Sequence, residues 1–234
     1  VRTAENHFIM VGGAKIKHDE VLTQDRISHI PEILTSNEDG TLSWKILKEG
    51  ESLELLGGME GEEWSYPKFF LSSDGNPFGI SYNKLWVMDK ENNYKISKVG
   101  EIPLITGGIS EKIIHKNPND KEDYKELTAL TIGAPVGDKG SAVMIAKDKI
   151  LFIGGQQKGE GYAASNGTII IDIEDSFNPK IIKKESMHYP RAFADATILP
   201  TGDVFVNGGT AVYQGAYDDT YFSNFTPEIY KTNY

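Results

Sequence analysis

Three times along the chain an apolar run ends on two adjacent glycines, at Gly12-Gly13, Gly154-Gly155 and Gly208-Gly209. Each doublet closes the second half of a hairpin-like piece. In "RAFADATILPTGDVFVNGGT" (191 to 210), residues 193 to 199 alternate apolar with small or polar side chains, as a half-buried strand does. Pro200 to Asp203 supply turn chemistry, and "VFV" (204 to 206) reads as a strand buried on both faces. The glycines then mark a close backbone approach or a positive φ. "GSAVMIAKDKILFIGGQ" (140 to 156) repeats the pattern around a Lys147-Asp148-Lys149 turn. "YPKFFLSSDGNPFGIS" (66 to 81) repeats it around Asp74-Gly75, with an expected degenerate ending at Gly79. "NHFIMVGG" (6 to 13) reads as the second half of a further unit, with the chain starting inside it.

A third strand follows each hairpin: "IPEIL" (30 to 34), "KLWVMD" (84 to 89), "TIIIDI" (168 to 173) and "FTPEIY" (225 to 230). Three of these lead to a fourth: "SWKIL" (43 to 47), "YKISKV" (94 to 99) and "PKIIKK" (179 to 184). A recurring four-stranded unit predicts an all-β fold of the β-propeller kind, in which blades bury their faces on one another. A β-sandwich shares the strands but not the repeated order of turn, doublet and third strand. The units fall at roughly 1–50, 64–100, 138–186 and 187–234, separated by an insertion at 101–137 whose charged piece "KNPNDKEDYKE" reads as a solvated loop. No helix of convincing period is evident.

The bulk numbers exclude some partners. A net charge of −10 across 234 residues repels phosphate backbones, so nucleic acid is not an expected partner. No apolar run has the length to cross a bilayer, and the first residues lead into a strand rather than reading as a signal peptide. The chain holds no cysteine, hence no disulfide and no thiolate metal site.

The ordered set "YPKFFLSSDG", "GSAVMIAKDKILFIGG", "MHYPRAFADATILPTGDVFVNGG" (187 to 209) and "FTPEIY" resembles the kelch-repeat propellers of the galactose oxidase and glyoxal oxidase group. The resemblance covers most of the chain outside 101 to 135. It implies a seven-bladed propeller, of which about four blades are present. Such an arc leaves a face and edges needing the missing blades or a self-association partner. It also implies a secreted or exported parent protein that oxidises a small alcohol, aldehyde or carbohydrate with copper and a tyrosine–cysteine radical, making hydrogen peroxide.

Residue by residue, the resemblance places the cross-linked, metal-binding and catalytic tyrosine at Tyr66, although Ser65 separates it from Trp64, a pair that relatives keep adjacent. It implies substrate-facing positions at Tyr162, Tyr189 and Arg191. The cysteine and the tyrosine–histidine ligand pair have no match here, so the chain alone is expected to hold no copper. Against these roles stand plainer ones: Tyr66 as a packing residue, Tyr162 as a loop aromatic, Arg191 as a structural hydrogen-bond donor. A non-catalytic propeller binding carbohydrate or a protein is the alternative function.

Other signals carry less. His7, His18, His29, His115 and His188 show no ligand spacing and read as surface or structural. "GAPVGDKGS" (133 to 141) lacks the phosphate-loop pattern. Asp218-Asp219 lacks the further oxygens that calcium needs. Asn166-Gly167-Thr168 and Asn224-Phe225-Thr226 are glycosylation sequons, relevant to a eukaryotic secretory route.

Overall fold

The computed structural model describes residues 1–3, 5, 7–14, 26–58, 66–104, 136–137, 139–156, 162–213 and 223–232. Trp64, Ser65, His18, His115, Asp218-Asp219 and nearly all of the 101–137 insertion lie outside them. Among the described residues the fold is all-β: four antiparallel sheets, a two-stranded ribbon and almost no helix.

The first sheet has the order β1 (Phe8–Met10), β2 (Glu32–Ser36), β3 (Leu42–Ile46). Residues 1–3 run back along β1, with Ile9 N donating to Val1 O at 2.8 Å and Thr3 N to His7 O at 2.8 Å. A short inner partner therefore precedes the piece that the sequence reads as an isolated second half. A four-residue helix, α1 (Leu53–Leu56), follows, with the Ser52 side chain accepting from Leu55 N as its cap. It is too short to show a period in the sequence.

The second sheet runs β4 (Lys68–Leu71), β5 (Pro77–Ser81), β6 (Lys84–Asp89), β7 (Lys95–Glu101), each paired with the next. All of β5 is buried. Gly79 is not the end of a strand, as the sequence pattern expected, but the middle of β5, paired with Trp86. A Cβ there would lie 2.0 Å from Trp86 Cζ2, so the indole takes the space that a side chain would need. The turn after β5 is made by Tyr82 and Asn83 instead, with Tyr82 at φ 56°.

The third sheet contains β8 (Ser141–Ala146) and β9 (Lys149–Ile153); after the short β10 (Tyr162–Ala163) come β11 (Thr168–Asp172) and β12 (Lys180–Lys183). Its order is β12-β11-β9-β8. The fourth contains β13 (Asp195–Ile198) and β14 (Val204–Asn207); β15 (Val212–Tyr213) pairs with β10 as the ribbon, and β16 (Glu228–Tyr230) joins β14. The strands coincide with the pieces read from the sequence, but "VFV" is buried at Val204 and Val206 and only partly at Phe205.

The chain divides into two compact units, Val1–Ile102 with Ile173–Pro179, and Pro103–Asp172 with Lys180–Tyr234. In the first, Ile9 and Ile33 of the first sheet pack with Trp86 and Met88 of the second and with Leu55 and Leu56 of α1. In the second, Leu151, Ile153 and Ile170 of the third sheet pack with Val204 and Val206 of the fourth. Each unit is thus two sheets sharing one apolar layer, stabilised by roughly 25 cal/mol for each Å² of apolar surface removed from water. Asp74, in the β4–β5 turn, accepts from Ser72 Oγ, from Asn76 N at 2.9 Å and from Ser176 Oγ at 2.7 Å, which ties the 173–179 segment into the first unit.

All six residues of the glycine doublets have positive φ, from 63° at Gly208 to 96° at Gly13. At Gly154 the demand is double: φ is 68°, and a Cβ would sit 2.3 Å from Arg191 O. The neighbouring Gly155 N donates to that same carbonyl at 2.7 Å.

Candidate functional site

In an antiparallel hairpin the start of the first strand and the end of the second lie at the same end of the sheet. The glycine doublets mark that end. Tyr66 lies just before β4, Tyr189 and Arg191 before β13, and Tyr162 between β9 and β11, so all four residues sit at the doublet-type end of their own sheets. They are not all in one unit: Tyr66 belongs to the first and the other three to the second.

Tyr66 is 87% exposed and has φ 52°, a left-handed backbone that tyrosine rarely adopts. Its neighbour Trp64 lies outside the described residues. Tyr162 is placed by the ribbon, where its backbone pairs with Tyr213.

The best-built cluster is that of Tyr189 and Arg191. Arg191 is 1% exposed and spends its guanidinium on three acceptors. Nη1 donates to Gly208 O at 2.8 Å; Nη2 donates to Thr226 O and to Glu228 Oε1 at 3.0 Å. Its Cζ lies 5.9 Å from the centre of the Tyr189 ring, within cation–π range. Glu228, on β16, returns the contact with both oxygens. Oε1 accepts from Tyr189 N at 3.2 Å, and Oε2 from His188 N at 2.7 Å with His188 Nδ1 at 3.2 Å. Burial pushes the Glu228 carboxyl upward, but the His188 N–H, the Arg191 guanidinium and the Tyr189 N–H together hold it below the usual carboxylate range. The carboxylate therefore stays ionised and acts as a latch, closing the 188–191 loop onto the strand 37 residues further on.

Glu228 was not singled out by its sequence context, since "FTPEIY" reads as a plain strand. Its partner Arg191 is distant in sequence, and only the fold brings the two charges together. Beside the latch lies a cleft of about 580 Å³ lined by Lys184, Glu185, His188, Glu228, Tyr230 and Lys231, with Met187 and Val206 also in its wall. His188 is solvent-facing, its side chain 90% exposed. Among the other histidines, His29 makes a surface contact to Glu51 at 3.1 Å.

The chain has no cysteine, and among the described residues no group of three or more His, Cys, Asp or Glu side chains is placed to hold a metal ion. Among the described residues no helix is long and apolar enough to cross a membrane.

No family model and no curated protein matches the sequence. Among solved structures, the chain is similar to a fungal alcohol oxidase of the AA5 family, solved in complex with copper, at a TM-score of 0.37 and 13% identity. That match covers 99% of this chain but 62% of the oxidase, so the chain spans less than two thirds of the length of the protein it resembles.

Proposed function

We propose that the chain is a four-blade portion of a kelch-type β-propeller, part of a seven-bladed propeller in a galactose oxidase- or glyoxal oxidase-like protein. The blades correspond to 1–50, 64–100, 138–186 and 187–234, with 101–137 as an insertion. The observation that carries this reading is the left-handed glycine doublet closing the second strand in three of the four sheets. The packing of sheets in pairs within each unit accords with it.

In this reading Tyr66 is the phenol that a longer, secreted parent would offer to copper, the remaining ligands coming from elsewhere in that parent. An aromatic residue left open to solvent in a strained backbone is the feature that supports its role. Tyr162 and Tyr189 border the substrate, a small alcohol, aldehyde or carbohydrate, and Arg191 holds Tyr189 in place. The test is peptide mapping of the naturally produced, full-length protein by mass spectrometry. The Tyr66 peptide is expected joined to a cysteine peptide with the loss of two hydrogens. An unmodified peptide from copper-treated protein refutes the oxidase reading.

A second reading is a non-catalytic propeller that binds carbohydrate or protein. The aromatic residues around the latch favour it: Tyr189 is 44%, Phe193 49% and Phe225 84% exposed, and open rings of this kind suit sugar faces. The same mapping separates the two readings.

A further inference from the structure

Among the described residues, seven other than glycine have a left-handed backbone. Four sit in connections between paired strands, where a positive φ matches the twist of the hairpin: Tyr82 after β5, Asn93 and Tyr94 before β7, and Asp148 between β8 and β9. The other three, Tyr66, Lys139 and Phe193, have φ of 52°, 59° and 56° and no hairpin to account for it. Each stands two residues before the first strand of its own sheet, β4 at Lys68, β8 at Ser141 and β13 at Asp195. One position of the repeat is thus left-handed in three of the four sheets. Glycine would take this backbone without strain, and the chain does not place it there. In the third sheet a glycine stands one place later, where space demands it: a Cβ on Gly140 would lie 2.5 Å from Phe152 Cε1 and 2.8 Å from Ile153 O. None of the three residues is buried, so packing in a core does not offset the strain.

We propose that this position presents its side chain to the ligand, and that Lys139 selects a carbohydrate carrying a carboxylate. Phe193 N donates to Lys139 O at 3.1 Å, which brings two of the three positions together within the second unit. The pair offers an aromatic ring for the face of a sugar and an ammonium for its acid group. The position belongs to the interior of the chain at Lys139, with strands of the same fold before and after it, and its left-handed backbone does not depend on what lies beyond residue 1 or residue 234. The inference rests on the propeller reading above, in which Tyr66 is a residue of the site, and adds to it the charge of the ligand. A net charge of −10 repels such a ligand over the surface at large, so a preference for it reports a local cation.

Titration calorimetry of the full-length protein with glucuronate against glucose, and galacturonate against galactose, tests it. Each acidic sugar is expected to bind about tenfold more tightly than its neutral counterpart. Lys139→Met should abolish the difference and Lys139→Arg should keep it. Lys139→Gly should also abolish it while leaving Tm within about 2 °C of wild type or above, because glycine relieves the backbone strain. A larger fall in Tm would show that the Lys139 side chain serves the fold, which overturns the inference. Equal affinity within each pair, or a preference that survives in Lys139→Met, overturns it too and leaves the propeller reading intact. Failure of all four sugars to bind also overturns it; the oxidase reading is then still decided by the Tyr66 peptide.

Discussion

Replacing Arg191 by alanine removes a guanidinium that solvent does not reach and takes one donor from each of three acceptors: Gly208 O, Thr226 O and Glu228 Oε1. Deleting one partner of a buried ion pair costs about 3–5 kcal/mol, because the other charge is left behind. Glu228 keeps the backbone N–H groups of His188 and Tyr189, and its side chain is 13% exposed, which places the effect at the lower end, about 3 kcal/mol. For a chain of this length each kcal/mol shifts Tm by about 2–4 °C, so thermal unfolding followed by near-ultraviolet circular dichroism should fall by roughly 6–12 °C. Arg191→Lys should recover only part of this, since an ammonium cannot span three acceptors arranged for a planar fork. The sign of the pH dependence is fixed by Glu228. Its carboxyl is lowered in the folded state, so its contribution is full above the unfolded glutamate value of about 4.3. That contribution is lost as pH falls through the lower native value. The stability gap between wild type and Glu228→Gln should therefore narrow and close in acid. A Tm for Arg191→Ala within about 2 °C of wild type, or a gap that persists unchanged in acid, would refute the latch.

The other predictions concern the first unit. Gly79→Ala should destabilise by about 3 kcal/mol, because a Cβ 2.0 Å from Trp86 Cζ2 must displace a fully buried indole bonded through Nε1 to Ser81 Oγ at 2.9 Å. Urea titration read by tryptophan fluorescence checks it; an unchanged midpoint means that Trp86 has another rotamer available. Asp74→Asn should cost about 1 kcal/mol near neutral pH, a modest figure because the carboxylate is exposed although its partners are not. Burial pushes Asp74 up, yet the hydroxyls of Ser72 and Ser176 and the N–H groups of Asn76 and Ser176 bring it below its usual value. The difference between the proteins should thus be present above about pH 4 and disappear as pH falls through the lower native value. A difference that grows in acid would contradict this.

How far the fold was legible follows from which interactions are local. Turns announced themselves because Asp74-Gly75 and Pro200 to Asp203 carry their own geometry, Gly75 and Gly202 both having positive φ. Buried strands such as β9 and β11 were legible as unbroken apolar runs. Gly79 was misread because the reason for a glycine there is Trp86, across the sheet, rather than a turn beside it. The helix α1 left only the Ser52 cap as a trace. At the candidate site, residue types could nominate Tyr189 and Arg191. Nothing local to them could nominate Glu228, whose carboxylate matters only because β16 pairs with β14 and delivers it to the loop. Tyr66 was legible as a residue of interest through resemblance, while its exposure and left-handed backbone emerge only in the fold.

The bond from Ser176 to Asp74 has a consequence for how the protein is made. Ser176 is fully buried, and it joins a unit whose other residues end at Ile102. During synthesis the first two sheets leave the ribosome well before the segment that completes their unit. At about 5–20 residues per second, the stretch from 103 to 172 imposes a wait of roughly 4 to 14 seconds. Until then Asp74 lacks the Ser176 hydroxyl that it accepts from in the folded protein, and Asn76 Nδ2 lacks its 3.3 Å contact to Ser176 Oγ. Nascent chains arrested shortly before residue 173 should therefore expose the β4–β5 turn to protease, and chains arrested far enough past 179 for that segment to have left the exit tunnel should protect it.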